Sequence, residues 1–247
     1  DEIMRNLKIF MAYRGTNYHG FQRQENAITV QEIVENCLSK ILNVKTIIYG
    51  CSRTDTGVHA LEYCFNFRTE KPISNIGVIR GMNTILPDDI SILSCEEVSD
   101  DFHARYSCKG KEYIYKIHNS ESKNPFAEDL AFHYRRPIDF ELISKASKAF
   151  IGTHDFKAFC STGSNKESTV RTIYDFSVTQ NGSEIILLVK GDGFLYNMVR
   201  IMVGTLLFIN EGKIKAEALP EIILSKDRSN AGKTAQPQGL YLSKIYY

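Results

Sequence analysis

The sequence predicts an α+β fold with a mainly antiparallel sheet. Segments of two-residue alternation are interspersed with segments of helical spacing, about two helices to each half of the chain, and an Asn181-Gly182 pair between two apolar runs signals a hairpin. The 247 residues sit near the length at which a single core stops growing, and a division into two halves, 1–105 and 106–247, is expected. The change of composition that marks it lies around 99–110.

The elements follow in order. Leu7, Ile9 and Met11 alternate with Lys8 and Phe10 ahead of Gly15, the pattern of a strand with one buried face. Thr29 with Glu32 three residues on forms a capping box, after which Val30, Ile33, Val34, Cys37, Leu38 and Ile41 recur at helical spacing. Strands are expected at 46–50, 60–68, 90–97 and 111–118, and a helix near 75–86 closed by Pro87. Asp139 caps a helix expected to run to about 151 and to stop at Gly152. Strands at 171–179 and 184–190 flank the hairpin turn. The most apolar helix is expected at 194–209, a short helix at 216–225 and a last strand at 239–246.

Composition narrows the function classes. With 43% hydrophobic and 24% charged residues the chain is expected to be an ordinary soluble globular protein, which excludes disorder and fibrous repeats. The absence of an 18-residue apolar run argues against a membrane span, and the start lacks the order of a signal peptide, so a cytoplasmic protein is expected. Asp1–Ile3, ahead of Met4, are expected to be foreign to the fold. The six cysteines form no C-x-x-C pair and read as reduced thiols, and the six histidines form no H-x-H or H-x-x-x-H pair, so no metal site is expected.

Three segments hold residues that could do chemistry. In CSRTDTGVHA, residues 51–60, Arg53, Asp55 and His59 sit on a turn-rich connection between apolar strands, where functional groups concentrate. The plainer alternative is a surface turn, which Asp-Thr-Gly suits. An aspartic protease would need a second Asp-Thr-Gly to share one proton, and Arg53 and His59 would favour the ionised carboxylate instead. In GFLYNMVRIMVG, residues 193–204, Arg200 is nearly surrounded by apolar residues, so its guanidinium must either meet a carboxylate or snorkel to the surface. In FHARYSCKGKEYIYKIHN, residues 102–119, Arg105, Lys109, Lys111 and Lys116 are interleaved with Tyr106, Tyr113 and Tyr115, a composition suited to phosphate contact and base stacking. Tyr113, Tyr115 and Ile117 share one strand face, and core packing is expected for two of the three.

Together the segments YRGTNYHGFQRQ (13–24), TVQEIVE (29–35), SRTDTGVHA (52–60), NTILPDDI (83–90), FHARYS (102–107), KEYIYKI (111–117), HDFKAFCS (154–161), FLYNMVR (194–200) and TAQPQGLYL (234–242) resemble the tRNA pseudouridine synthase A family almost end to end, in the family's order and spacing. The resemblance implies that Asp55 is the catalytic nucleophile, that Tyr113 stacks on the target uracil, that Arg200 pairs with the catalytic aspartate and that Arg53 helps push the target base out of its stack. Arg105 joins the expected RNA contacts. It further implies isomerisation of uridine in the anticodon stem-loop of tRNA, no cofactor, a homodimer spanned by one tRNA, and two similar halves with helices on one face of each sheet around a central cleft. Ser52 and Thr56 replace the glycine and alanine usual in the family beside Arg-Thr-Asp, and neither replacement removes a catalytic group. The second reading is an RNA-binding or tRNA-folding module without catalysis, for which those two residues are the hint.

A net charge of +1 does not exclude an RNA partner, because DDISILSCEEVSDD (88–101) holds six acids and no base, leaving +7 on the other 233 residues. The acidic segment is expected to face away from the RNA. Affinity for tRNA is expected to fall as salt rises from about 50 to 200 mM in a filter-binding titration; affinity indifferent to ionic strength would refute an electrostatic contribution.

Overall fold

The first strand, β1 (Arg5–Tyr13), sets the pattern of the amino-terminal unit in this computed structural model, which describes residues 3–163 and 167–247. Asp1 and Glu2, expected to be foreign to the fold, lie outside the described residues. The chain divides into two units, Asp1–Lys109 with Tyr241–Tyr247, and Gly110–Leu240.

In the first unit β1 is followed by α1 (Val30–Leu42), β2 (Tyr49–Gly50), β3 (His59–Thr69), α2 (Asn75–Ile85) and β4 (Ile90–Val98). β1 lies between β3 and β4 and is antiparallel to both. Its alternating Leu7, Ile9 and Met11 are fully buried, as are Phe65 and Phe67 of β3. Thr29 caps α1 by accepting from the Glu32 N–H at 3.4 Å, and Asn43 ends it in left-handed backbone. A two-way amide bond clamps α2 to β4: Asn83 donates to the Ile92 carbonyl at 2.9 Å and accepts from the Ile92 N–H at 2.7 Å. The strand expected at 46–50 shrinks to two residues for a physical reason. The N–H groups of Thr46 and Ile48 are taken by side chains of α1, Ser39 Oγ at 2.9 Å and Glu35 Oε2 at 2.9 Å, and are not available for a ladder.

The second unit runs β5 (Gly110–Asn119), β6 (Phe132–Tyr134), α3 (Phe140–Ser147), β7 (Gly152–Asp155), β8 (Val170–Asn181), β9 (Glu184–Gly191), α4 (Met198–Asn210) and α5 (Leu219–Ser225). β5, β9, β8 and β7 form an antiparallel run, with β6 parallel to the far end of β5. Asn181 pairs with Glu184, so the expected hairpin turn is in place. Phe150, Phe159 and Phe176 pack ring against ring at 5.2 and 5.3 Å beneath α3 and β8. α4 is buried on nearly all sides, as its uniformly apolar sequence requires.

The structure moves several expected boundaries. α4 begins at Met198 and not at 194, because Asn197 has φ 60° and a helix cannot run through left-handed backbone. α3 gives way at Lys148 to a single 3-10 turn, and Gly152 opens β7, a strand that no alternation announced. The last strand, β10 (Leu240–Tyr246), was expected with the second half. It pairs instead in parallel with β3 through Tyr241 and Leu242, so the first unit is not contiguous in sequence, and its amino-terminal part runs to Lys109, past the 105/106 division. Beyond that pairing, Tyr246 accepts from the Lys109 N–H at 2.8 Å and Tyr247 donates to the Ala104 carbonyl at 2.6 Å.

The acidic segment is partly paired. Glu96 pairs with Lys8 at 2.9 Å, Glu97 with Arg5 at 3.2 Å and Asp100 with Arg68 at 3.5 Å, so half of its charge is met by the neighbouring strands of its own unit.

One buried hydroxyl ties α4 to the segment that follows α5. Thr205 Oγ1 donates to the Ile201 carbonyl at 2.7 Å and accepts from the Gly232 N–H at 2.8 Å. Thr205→Val keeps the shape and leaves that buried N–H without an acceptor, so a loss of about 1–3 kcal/mol is expected, read as a lower urea midpoint at unchanged slope.

Candidate functional site

The expected site residues fall on both units. Arg53, Asp55 and Arg105 belong to the first, Tyr113 and Arg200 to the second.

In the first unit the connection from β2 to β3 is irregular, yet its backbone is held from several sides. Cys51 donates to the Cys64 carbonyl at 2.9 Å, and the Ser52 carbonyl accepts from Tyr63 Oη at 2.6 Å. Tyr63 is fully buried and stacked on Phe21 at 4.4 Å, and burial above all raises its phenol well above the ordinary 10.0, so it stays a donor. Thr54, next along, shares a 2.6 Å hydrogen bond with Tyr13 Oη, and its carbonyl accepts from the Phe21 N–H at 3.1 Å. That approach needs glycine at position 20, where φ is +79° and a Cβ would lie 2.6 Å from the Thr54 oxygen. After Asp55 the chain turns back, its carbonyl accepting from the Val58 N–H at 3.1 Å. His59 Nδ1 accepts from the Gly15 N–H at 2.9 Å, which assigns the ring proton to Nε2. Asp55 is therefore a half-buried carboxylate on a segment fixed on both sides, while Arg53 is exposed.

Arg105 is exposed on the turn after β4. Its guanidinium carbon lies 5.6 Å from the Tyr106 ring centroid.

In the second unit Tyr113 occupies β5 opposite Val189, buried, with Phe194 edge-on at 5.0 Å. Tyr115 and Ile117 are buried as well, so all three residues of that face are core where two were expected, and Tyr115 donates to the Gln236 carbonyl at 2.7 Å. Arg200 stands in the first turn of α4, half-buried. Nε donates to the Ala235 carbonyl at 2.7 Å and Nη1 to Asn197 Oδ1 at 3.1 Å, while the Arg200 carbonyl accepts from the Ala235 N–H at 3.0 Å. These two acceptors orient the guanidinium plane. Asn197 is itself held by donating to Ser161 Oγ at 3.0 Å. The segment carrying Ala235 lies close to α4 because position 204 has no side chain; a Cβ there would run into the Lys233 carbonyl.

Tyr63, Asn197 and Ala235 position the candidates and were not singled out by sequence reasoning. Asn197 had a readable signal, an asparagine immediately ahead of an apolar helix. Tyr63 had none, since a tyrosine in a strand reads as core, and Ala235 acts through its backbone. Among the described residues no group of three or more His, Cys, Asp and Glu side chains is placed to hold a metal ion, and no helix is long and apolar enough to cross a membrane.

Comparison with known proteins gives consistent matches. A family model described as tRNA pseudouridine synthase matches residues 9–107 and 146–247. The tRNA pseudouridine synthase A of Thermoanaerobacter sp. (strain X514) is 47% identical over 244 residues, 99% of this chain and 100% of that protein. That of Acetivibrio thermocellus is 46% identical over 244 residues, again 99% and 100%. A solved chain in a Cbf5-Nop10-Gar1 complex is similar with a TM-score of 0.39 at 11% identity, over 95% of this chain and 57% of that one.

The Tyr63 hydroxyl is the support whose removal is cleanest. Tyr63→Phe is expected to cost about 1 kcal/mol and to speed amide hydrogen exchange across residues 51–58 while leaving β8 and β9 unchanged. Exchange that stays as slow as in the parent would show that this hydrogen bond does not hold the loop.

Proposed function

The chain belongs to the tRNA pseudouridine synthase family, and on that premise we propose that it isomerises uridine in the anticodon stem-loop of tRNA with Asp55 as the nucleophile. The observation that carries the assignment to Asp55 is its place in Ser-Arg-Thr-Asp, on a segment whose neighbours Ser52 and Thr54 are fixed by tyrosine hydroxyls. A nucleophile so held needs little further ordering to reach its target.

The reaction breaks the N1–C1′ glycosidic bond, turns the uracil and joins C5 to C1′. The hydrogen on C5 leaves as a proton and the freed N1 takes one up, so substrate and product hold the same atoms. A carboxylate suits this sequence. Attack by Asp55, at uracil C6 or at ribose C1′, gives a covalent intermediate from which the carboxylate is later expelled. Arg200 is proposed as its counter-charge, which keeps the carboxylate ionised; support comes from a guanidinium held in a fixed orientation by Asn197 and Ala235. Tyr113 is proposed to stack on the uracil while the base is detached. Arg53 is proposed to help the base leave its stack, which costs a few kcal/mol, and Arg105 to contact the RNA backbone. No electron and no external group is transferred, so the chemistry requires no cofactor. The proposal includes a homodimer bound to one tRNA and a place in the cytoplasm beside that substrate.

Tritium released from C5-labelled uridine in tRNA measures the reaction directly. Asp55→Ala is expected to lose several orders of magnitude in release at unchanged circular dichroism, and Arg200→Met to be impaired. Undiminished release by Asp55→Ala would overturn the nucleophile, and tRNA binding by the parent protein without any new pseudouridine would overturn the activity.

A further inference from the structure

The turn after β4 carries an arrangement that the reaction does not use. Tyr106 is 77% exposed, an unusual position for a large ring. Its centroid lies 4.4 Å from that of His103, whose ring lies 5.3 Å from that of Tyr49, and the Arg105 guanidinium carbon is 5.6 Å from the Tyr106 centroid. Three rings thus form a continuous run that ends in solvent beside a cation.

The support beneath them is built. His103 Nδ1 accepts from the N–H groups of Arg105 at 3.1 Å and Tyr106 at 3.3 Å, which demands a neutral ring; partial burial first, then Arg105 and Arg68, lower its pKa from 6.5 and favour that form. Ser107 closes the turn, its hydroxyl accepting from the His103 N–H at 3.0 Å. Two buried asparagines then hold the turn to the sheet. Asn6 donates to the Ser99 and Phe102 carbonyls at 3.0 and 2.9 Å, and Asn66 accepts from the Ala104 N–H at 2.8 Å while donating to Asn6 at 3.0 Å. Burying two amides beneath a surface turn is costly unless every group is satisfied, and here the network satisfies them and immobilises the turn.

We propose that Tyr106, backed by His103 and Tyr49 and flanked by Arg105, is a stacking platform for an unpaired nucleobase of the bound RNA, a base other than the one isomerised. An open aromatic face accepts any base, and an adjacent guanidinium meets the phosphate of the same or the next nucleotide, the combination by which single-stranded RNA is held without sequence readout. A ring carried on an immobilised turn loses less freedom on binding, so more of the stacking energy appears as affinity. The platform rests on the proposed function, since that reading supplies an RNA with looped-out bases.

The chain has no tryptophan, so Tyr106→Trp installs a single tryptophan at the platform, which can be excited selectively over the tyrosines. Its emission is expected to be quenched when an unmodified tRNA transcript binds, and to be unchanged by polyphosphate or by uridine monophosphate at the same base concentration. Tyr106→Ala is expected to weaken tRNA binding roughly 5- to 150-fold with no change in the slope of log affinity against log salt. Arg105→Ala is expected to lower that slope by about 1. Binding without quenching, equal quenching by polyphosphate or by the free nucleotide, or parental affinity in Tyr106→Ala would overturn the platform. The two proposals fail separately: tRNA bound and quenched without new pseudouridine removes the function alone, and pseudouridine formed without quenching removes the platform alone.

Discussion

Irregular backbone can lie against a packed core only where its N–H and C=O groups find partners, and this constraint organises the protein. Among the described residues no buried side-chain nitrogen or oxygen lacks a hydrogen bond. Three segments outside the ladders are treated alike. The connection carrying Asp55 leans on hydroxyls of Tyr13 and Tyr63, the turn carrying Tyr106 on the amides of Asn6 and Asn66, and the stretch around Ala235 on Thr205 and Arg200. In each case the side chains come from regular elements, which are the stiffest parts of the chain. Sheets and helices serve here as racks on which loops are pinned.

Arg200 illustrates how the same bonds do two jobs. Its backbone carbonyl and its Nε both engage Ala235, so the residue proposed as a counter-charge is also the clasp between α4 and the following segment. A guanidinium has five donors in a fixed plane, so Nε and Nη1 can hold Ala235 and Asn197 while further donors are left over; a lysine ammonium in the same position would lack that plane. This explains why a strongly basic group is tolerated in an otherwise apolar helix.

Much of the fold was legible in the residues. Alternation at Leu7, Ile9 and Met11 and the Thr29 cap located β1 and α1 because each depends on neighbours in sequence. What was not legible depends on partners far along the chain. β2 is short because α1 takes its donors, α4 starts late because Asn197 adopts left-handed backbone, and β10 leaves the second unit to pair with β3. The pairing of three acids of the 88–101 stretch with Lys8, Arg5 and Arg68 was likewise not legible, because it forms between segments far apart in sequence. Of the candidate site, residue types drew attention to the segments of Asp55, Tyr113 and Arg200, whose proposed roles come from the family resemblance, while the positioning residues Tyr63 and Asn197 required coordinates, since their roles lie in what they touch.

The parallel pairing of β10 with β3 has a consequence for how the protein comes into being. Residues 241–247 belong to the unit that begins at the other end of the fold, so during synthesis that unit waits, one strand short, while the whole of the second unit emerges from the ribosome. The half translated first is therefore completed last. Until then the His59–Ala60 end of β3 offers an open backbone edge, and the intervening 131 residues act as a timed delay before the edge is covered.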